Sequence, residues 1–322
     1  MSDEQKPSDW QENITGEWHG MPSIFDAEGN HVGYNKVYRE SSFEGDRVTY
    51  TMDTRMDAIG PLRARFEATE FAFGVEDRGA NRIYMGPDFI GAGHPFGTSL
   101  VNAHYYSPGW TSDLRTMVHV LDDGKTQVYS SLLFDGPTIN GVFNGVYKVA
   151  YDYHTNPETK EWIDNFTAQE RVDGKKPHVL PMKQAGRWTG EMYVFDAAQE
   201  YVGMNQVTID YQPLTLLRAE QTVNISGIMD RDYRFQRARN GIRHTFEGPD
   251  VHGNGIAYGR ALYTSQHFFG ESLKIRGREF IIDDNYTMSI VWDWLAGDQR
   301  QYMSFGLFTW EAGETILKAN YE

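Results

Sequence analysis

Hydrophobic and polar positions alternate with a period of two along many short segments of this chain. The alternation is clearest in residues 114–121, 274–282 and 286–294. It predicts β-strands with one buried face, because successive side chains of a strand point to opposite sides of the sheet. Turn-forming sequences such as Asp122-Asp123-Gly124 separate the segments. The sequence therefore predicts an all-β protein of many short strands, and the one helix that we expect is a short one within 213–221.

Three blocks of the sequence occur twice in the same order. The first block is repeated after 170 positions (186 − 16) and the second after 162 (248 − 86), so the second copy is slightly shorter between them. The matched segments are Gly16-Glu17-Trp18 with Gly186-Arg187-Trp188, Gly86-Pro87-Asp88 with Gly248-Pro249-Asp250, and Thr116-Met117 with Thr287-Met288. Ordered repeats of this kind predict an internal duplication.

The duplication and the regular spacing of the strands predict two antiparallel β-barrels packed together. We expect a loose polar tail over 1–12, the first barrel over 13–172 and the second barrel over 183–322. The linker between them is placed at 173–182, where the polar cluster Asp173-Gly174-Lys175 is typical of a turn.

Composition excludes several classes of function. The 322 residues carry a formal net charge of −15, from 45 acidic and 30 basic side chains, which disfavours nucleic acid and anionic membrane surfaces as partners. There are no cysteines, so disulfides and thiolate catalysis are excluded. The acidic start of the chain does not have the pattern of a signal peptide, and no run of about 18 apolar residues predicts membrane insertion. We expect a cytoplasmic location, and a homodimer is left open.

The Gly-x-Trp sequences at Trp18 and Trp188, each followed by a strand meander, resemble the first strand of lipocalin (calycin-type) barrels. A tandem pair of such units resembles the family that includes carotenoid 1,2-hydratase and the decalin-forming Diels–Alderases. The resemblance concerns architecture. It implies lipocalin-like barrels with a closed apolar cavity and, in some relatives, cofactor-free chemistry on a terpenoid or polyketide.

One strand of the first copy suggests where that chemistry would occur. The third repeat aligns Met117 with Met288 and His119 with Ile290, and Trp292 lies on the same face as Ile290. That face is therefore expected to point into the barrel, together with Arg115. A buried imidazole needs hydrogen-bond partners and can act as a general acid or base near neutral pH.

Further polar and aromatic residues precede this strand. We predict His119 and His104 as acid–base residues, assisted by the remaining catalytic candidates Tyr105, Tyr106 and Asp113. Tyrosine hydroxyls and the Asn102 amide can donate to a developing oxyanion. The predicted substrate-binding residues are His94, Asn102, Trp110, Arg115, Met117, His267 and Trp292.

No cofactor or metal is expected. His267 and Glu271 are four positions apart, about 13 Å along a strand, which is too far for one metal ion. The glycines of residues 91–97 do not follow a phosphate-binding pattern, and no Gly-x-Ser-x-Gly elbow is present. The lead hypothesis is a cofactor-independent lyase, isomerase, hydratase or cyclase acting on a hydrophobic small molecule of the terpenoid, polyketide or aromatic class. The alternatives are a non-catalytic carrier of an apolar ligand and a structural protein with filled barrels.

Overall fold

A computed structural model describes residues 13, 15–44, 47–59, 70–178, 184–283 and 286–314. The chain divides into two compact units, 1–176 and 177–322. Each unit contains one closed antiparallel β-barrel, which confirms the predicted all-β, duplicated fold class. The predicted tail, 1–12, lies outside the described residues, as do residues 179–182 of the predicted linker.

The first barrel, barrel one, is built from eleven described strands. They are β1 (Trp18–Gly20), β2 (Ser23–Phe25), β3 (His31–Glu44), β4 (Arg47–Ala58), β5 (Glu70–Arg78), β6 (Asn81–Met85), β7 (Ile90–Phe96), β8 (Leu100–Ser107), β9 (Ser112–Val120), β10 (Thr126–Asp135) and β11 (Thr138–Val149). Strands β1 and β2 share one position, because both pair with β3 on one side and with β11 on the other. The sheet therefore closes with ten positions around the barrel.

The second barrel, barrel two, has ten described strands. They are β12 (Gly186–Asp196), β13 (Tyr201–Thr215), β14 (Arg218–Gly227), β15 (Arg231–Asn240), β16 (Arg243–Glu247), β17 (Val251–Tyr258), β18 (Ala261–Phe268), β19 (Leu273–Ile281), β20 (Thr287–Ala296) and β21 (Gln299–Ala312). Strand β12 pairs with both β13 and β21, which closes the barrel. Strand β12 thus takes the place of β1 and β2 together.

Local irregularities recur at equivalent places and support the duplication. The register between the first two positions shifts after Ile24 in barrel one and after Val194 in barrel two, 170 residues later. Trp18 and Trp188 are 1% and 0% exposed, and each belongs to the hydrophobic core of its own barrel. The first repeated block of the sequence therefore marks equivalent strands.

The third repeated block of the sequence does not mark equivalent strands. Thr116 lies on β9, at the eighth barrel position, whereas Thr287 lies on β20, at the ninth position. The match between these two segments is wrong by one strand. Two alternating strands of similar composition can be aligned with each other by chance, since a period of two carries little information about strand order.

The hairpin turns give the correct equivalence. The amide of Leu121 donates to the carbonyl of Thr126 in barrel one, and the amide of Ile282 donates to that of Thr287 in barrel two. Strand β9 therefore corresponds to β19 and β10 to β20, with a spacing of 161 residues (282 − 121). Inward positions then correspond as Val118 with Glu279, Gln127 with Met288, Tyr129 with Ile290, Ser131 with Trp292 and Leu133 with Trp294.

One described helix of 17 residues, α1 (Pro157–Asp173), follows barrel one. The Asn156 side chain caps it by accepting a hydrogen bond from the Glu158 amide at 3.0 Å, and a proline occupies the first turn. The sequence analysis missed this helix because only one large apolar side chain, Ile163, is buried on its inner face. The short helix expected within 213–221 is wrong, since these residues form the hairpin between β13 and β14.

Candidate functional site

Barrel one encloses a cavity between two hydrophobic clusters. The cluster at one end of the barrel contains Trp18 and Val118, and the cluster at the other end contains Trp110 and Phe143. The cavity offers about 90 Å³ to the centres of water-sized molecules. A single water needs only about 10–15 Å³ of such space, so this cavity has room for a small organic molecule.

Barrel two is filled instead. Trp292 and Trp294 project from β20 into a single core cluster that also contains Trp188. The equivalent positions on β10 of barrel one are Ser131 and Leu133. Two indoles are thereby replaced by a hydroxymethyl and an isobutyl group, so these positions of barrel one fill less of its interior.

The end of the cavity near Trp18 carries two arginines. Arg39, on β3, lies 5.9 Å from the centroid of the Trp18 ring and 5.7 Å from that of Tyr50, and its Nη2 donates to Gln127 Oε1 at 2.9 Å. Arg82, on β6, is 0% exposed, and its Nε forms an ion pair of 3.1 Å with Asp77. Both guanidinium groups line the cavity.

The opposite end of the cavity is aromatic. Trp110 lies on the turn between β8 and β9 and meets Phe143 edge to face, with ring centroids 5.7 Å apart. Phe89 packs edge to face against Phe73 at 4.9 Å and against Tyr105 at 5.1 Å. Offset and edge-to-face contacts of this kind are favourable for aromatic rings. The cavity is therefore amphipathic, with cationic groups near Trp18 and an apolar aromatic wall near Trp110.

Tyrosines connect the two ends. Thr116 Oγ1 donates to the hydroxyl of Tyr105 at 2.9 Å and also lies 2.8 Å from Ser131 Oγ. Burial raises the pKa of Tyr84 to about 12 and raises the pKa of Tyr105 well above its usual value. Burial also raises the pKa of Tyr50, although the neighbouring charges of Arg82 and Arg39 oppose that rise. These tyrosines are hydrogen-bonding groups at neutral pH and do not act as bases.

The face of β9 that was predicted to point inward is the outer one. Thr116 and Val118 line the cavity, so the alternate residues Arg115, Met117 and His119 point away from it. The prediction is wrong because the third repeated block was aligned with the wrong strand. His119 is 3% exposed and lies buried on the outer face of the barrel, where barrel two has Phe280.

The outer faces of β9 and β8 also carry four further candidates. Asp113 is exposed on the outer face of β9. His104 and Tyr106 are exposed on the outer face of β8, and Asn102 is half-buried on that face. None of these four predicted site residues lines the cavity.

The structure does bring two of the predicted residues into the cavity. They are Tyr105 on β8 and Trp110 on the turn that follows it. His94 lies on β7 and contacts the Asn81 side chain through its Nδ1 at 2.8 Å, outside the cavity lining.

The two candidates from the second copy lie in the other unit. His267 is exposed on β18, with its Nε2 3.2 Å from Ser265 Oγ, and Trp292 is part of the packed core of barrel two. Neither residue lines the cavity of barrel one.

The sequence analysis missed both cavity arginines, and one available signal could have found one of them. Arg82 stands 162 positions before His244 (244 − 82), the spacing of the second repeated block. The hairpin turns before them contain Gly79 and Gly241, at φ +62° and +61°, which confirms the equivalence. A charged or titratable residue at the same inward position of both copies indicates a polar end of each barrel. Arginine on a strand is otherwise read as a surface residue.

Barrel two contains a buried polar cluster around His244, the counterpart of Arg82. Arg237 donates through Nε to His244 Nδ1 at 3.1 Å and forms an ion pair of 3.2 Å with Glu279. His178, from the segment before β12, lies 3.4 Å from Glu279 through its Nε2. A pocket beside this cluster offers only about 10 Å³, which is too little for a ligand.

No metal centre or membrane helix emerges from the described part of the chain. No group of three or more His, Asp or Glu side chains there is arranged to hold a metal ion. None of its helices has the length and apolar character that crossing a membrane requires.

Comparison with known proteins supports the architecture. No protein-family model and no curated protein matches the chain. A protein of unknown function from the DUF3598 family of Nostoc punctiforme PCC 73102 is similar in structure, with a TM-score of 0.58 and 13% identity over 95% of this chain and 99% of its own. A putative outer membrane protein from Bacteroides fragilis NCTC 9343 (9% identity, covering 94% and 99%) and intact Ap-TbpB, N and C lobes (7%, covering 93% and 78%), have TM-scores of only 0.24 and 0.23. At these identities the likeness to the DUF3598 protein concerns the fold alone: this chain and that protein share a tandem-barrel architecture.

Proposed function

We propose that barrel one binds one small, largely apolar molecule inside its cavity. The observation that carries the proposal is the difference between the barrels: equivalent strands produce a filled core in one and an amphipathic cavity in the other. A cavity of this volume costs stability, because the side chains around it lose packing contacts. Its retention next to a well-packed copy of the same fold supports a binding role.

Binding is favoured over acid–base catalysis by the residues that line the cavity. The described lining contains no His, Asp, Glu or Lys side chain, and burial raises the pKa of its Tyr84 and Tyr105 further above neutrality. The cofactor-independent lyase, isomerase, hydratase or cyclase, and membership of the tandem lipocalin-like family, stay predictions. In an enzyme of this kind, Tyr50 and the arginines would serve as donors to a developing oxyanion.

The neutral fluorophore N-phenyl-1-naphthylamine tests the proposal. We expect the full chain to bind it saturably with one site, with a rise in fluorescence. Ser131→Trp copies the filling residue of barrel two and should abolish binding, and the milder Ala103→Leu, at a position that lines the cavity, should weaken it.

Ala72→Trp provides the control, because Ala72 is exposed on the outer face of β5 and its substitution adds the same indole outside the barrel. Circular dichroism would verify that each variant is folded. Binding that is absent in the natural sequence, or unchanged in both cavity variants, would show that the cavity is not a ligand site.

A further inference from the structure

We infer that the molecule bound in barrel one carries a single negative charge, as a monocarboxylate does, and that its charged end lies at the Trp18 end of the cavity between Arg39 and Arg82. The inference rests on the proposed function and specifies the ligand class. The body of the ligand would extend along the aromatic wall toward Trp110.

The charges of the described residues at this end of the cavity do not balance. Two guanidinium groups line it, and no acidic residue is found among its described lining residues. Asp77, the partner of Arg82, lies at the rim with 26% of its side chain exposed. Gln127, the partner of Arg39, is neutral. Two positive charges and one negative charge leave one positive charge beside an apolar space, where an anion is strongly favoured.

Barrel two neutralises its buried arginine with a carboxylate of its own. There the buried Arg237 is neutralised by Glu279, which projects from β19 into the interior. The equivalent inward position on β9 is Val118, which belongs to the cluster at the Trp18 end. At this position barrel one has an apolar side chain in place of the carboxylate of barrel two. A carboxylate from a ligand would supply the missing charge.

The hydrogen-bond donors at this end of the cavity also suit an anion. Tyr50 is a neighbour of both arginines: its ring is 5.7 Å from the Arg39 guanidinium carbon, and the charges of Arg82 and Arg39 both oppose the rise in its pKa that burial causes. A guanidinium presents a planar fork of donors that matches a carboxylate, and a phenol adds one further donor. Together they form a donor set suited to an anion of one charge.

Competition with N-phenyl-1-naphthylamine tests the inference. Three competitors share a phenyl ring and a similar length: phenylacetate, phenylacetamide and 2-phenylethylamine. We expect phenylacetate to displace the fluorophore with an affinity roughly tenfold to a hundredfold above that of the amide, the range of one charge-assisted hydrogen-bonding interaction. The amine should bind most weakly.

Three variants should remove the preference for the anion. Arg39→Met and Arg82→Met each delete one charge with little change in volume, and Val118→Glu introduces the carboxylate of barrel two. The readout in each variant is the ratio of the acid affinity to the amide affinity, which does not depend on how tightly the fluorophore itself binds, and circular dichroism verifies that the variant is folded. Arg55→Met is the matched control, because the Arg55 side chain is 79% exposed on β4, and it should retain the preference.

The outcomes separate this inference from the proposed function. Should the fluorophore bind while the amide or the amine competes as well as the acid, or while none of the three displaces it, the anionic ligand is refuted and the cavity remains a binding site. A preference for the acid that persists in all three cavity variants refutes it equally. If the fluorophore itself does not bind, the proposed function fails together with the inference.

Discussion

Arg82 and His244 occupy the same position in the two barrels, and each is buried beside a charged partner. His244 is 4% exposed and accepts a hydrogen bond from Arg237. Burial above all, together with the charges of Arg237 and Arg239, lowers the pKa of His244 to about 3. The imidazole is therefore neutral in the folded protein near neutral pH, whereas Arg82 forms an ion pair with Asp77.

This pKa makes the stability of the protein depend on pH. The folded pKa of His244 lies below the value of about 6.5 expected in the unfolded chain, so between pH 3 and 6.5 the unfolded state binds more protons. Stability should therefore fall as the pH falls through this window. From pH 7 to pH 5, His244 should contribute a loss of about 2 kcal/mol.

Urea unfolding at the two pH values measures this loss. His244→Gln keeps an acceptor for Arg237 and should make the loss smaller by about 2 kcal/mol. His252→Gln, at an exposed position of β17, should leave the loss unchanged. Equal losses in the natural sequence and in His244→Gln would contradict the neutral buried imidazole.

At the scale of single strands, glycine is needed where the backbones of two neighbouring strands come very close, as they do at Gly33. Gly33, on β3, has φ +157°, and a Cβ atom there would lie 2.2 Å from the Asp57 carbonyl oxygen and 2.4 Å from the Ala58 Cα. Both are backbone atoms and cannot move away without displacing β4. Gly203 takes the same place in barrel two, at φ +137°. The register shift at this corner thus requires a residue without a side chain.

Alanine substitution separates close approach from turn conformation. Gly33→Ala should lower the free energy of unfolding by about 2–4 kcal/mol, because it combines an unfavourable φ with a backbone clash. Gly79→Ala is the control, since Gly79 has φ +62° but open space around the position of a Cβ, and it should cost only about 1 kcal/mol. Equal costs in chemical denaturation would show that the close approach at Gly33 is unimportant.

At the scale of the whole molecule, the two barrels have the same arrangement of strands but different interiors. Barrel two packs its tryptophans into a continuous core and neutralises its buried arginine internally. Barrel one leaves a cavity with a residual positive charge. A duplication permits this difference, because one copy can retain a packed core while the other changes its interior.

Hydrogen exchange can locate the response to a ligand in the full chain. Saturating N-phenyl-1-naphthylamine should slow amide exchange in strands of residues 1–176, β3 to β10 above all, because a ligand stabilises the state that binds it. Residues 177–322 should change little, since the described interior of barrel two is packed by the cluster that contains Trp188, Trp292 and Trp294. Protection that appears mainly in the second unit would contradict the assignment of the site to barrel one.

The residues that were predicted for the site show the limits of the sequence. Tyr105 and Trp110 line the cavity as large aromatic residues of a barrel are expected to do, but His119 lies on the outer face. Alternation shows that a strand has two faces, and it identifies the inner face only when one side is consistently apolar. On β9 the alternation itself favoured Leu114, Val118 and Val120 as the inner residues, and the misaligned third repeat led to the opposite assignment.

The sequence by itself determined the all-β class and the duplication, because the period of two and the repeated Gly-x-Trp blocks follow from local backbone geometry and remain visible in the order of residues. Tertiary structure alone decided strand equivalence, the inner face of β9 and the meeting of Arg39, Arg82 and Tyr50 from three different strands. Those features depend on pairing register and barrel closure. Both bring together residues that are far apart in the chain, and no local pattern records such contacts.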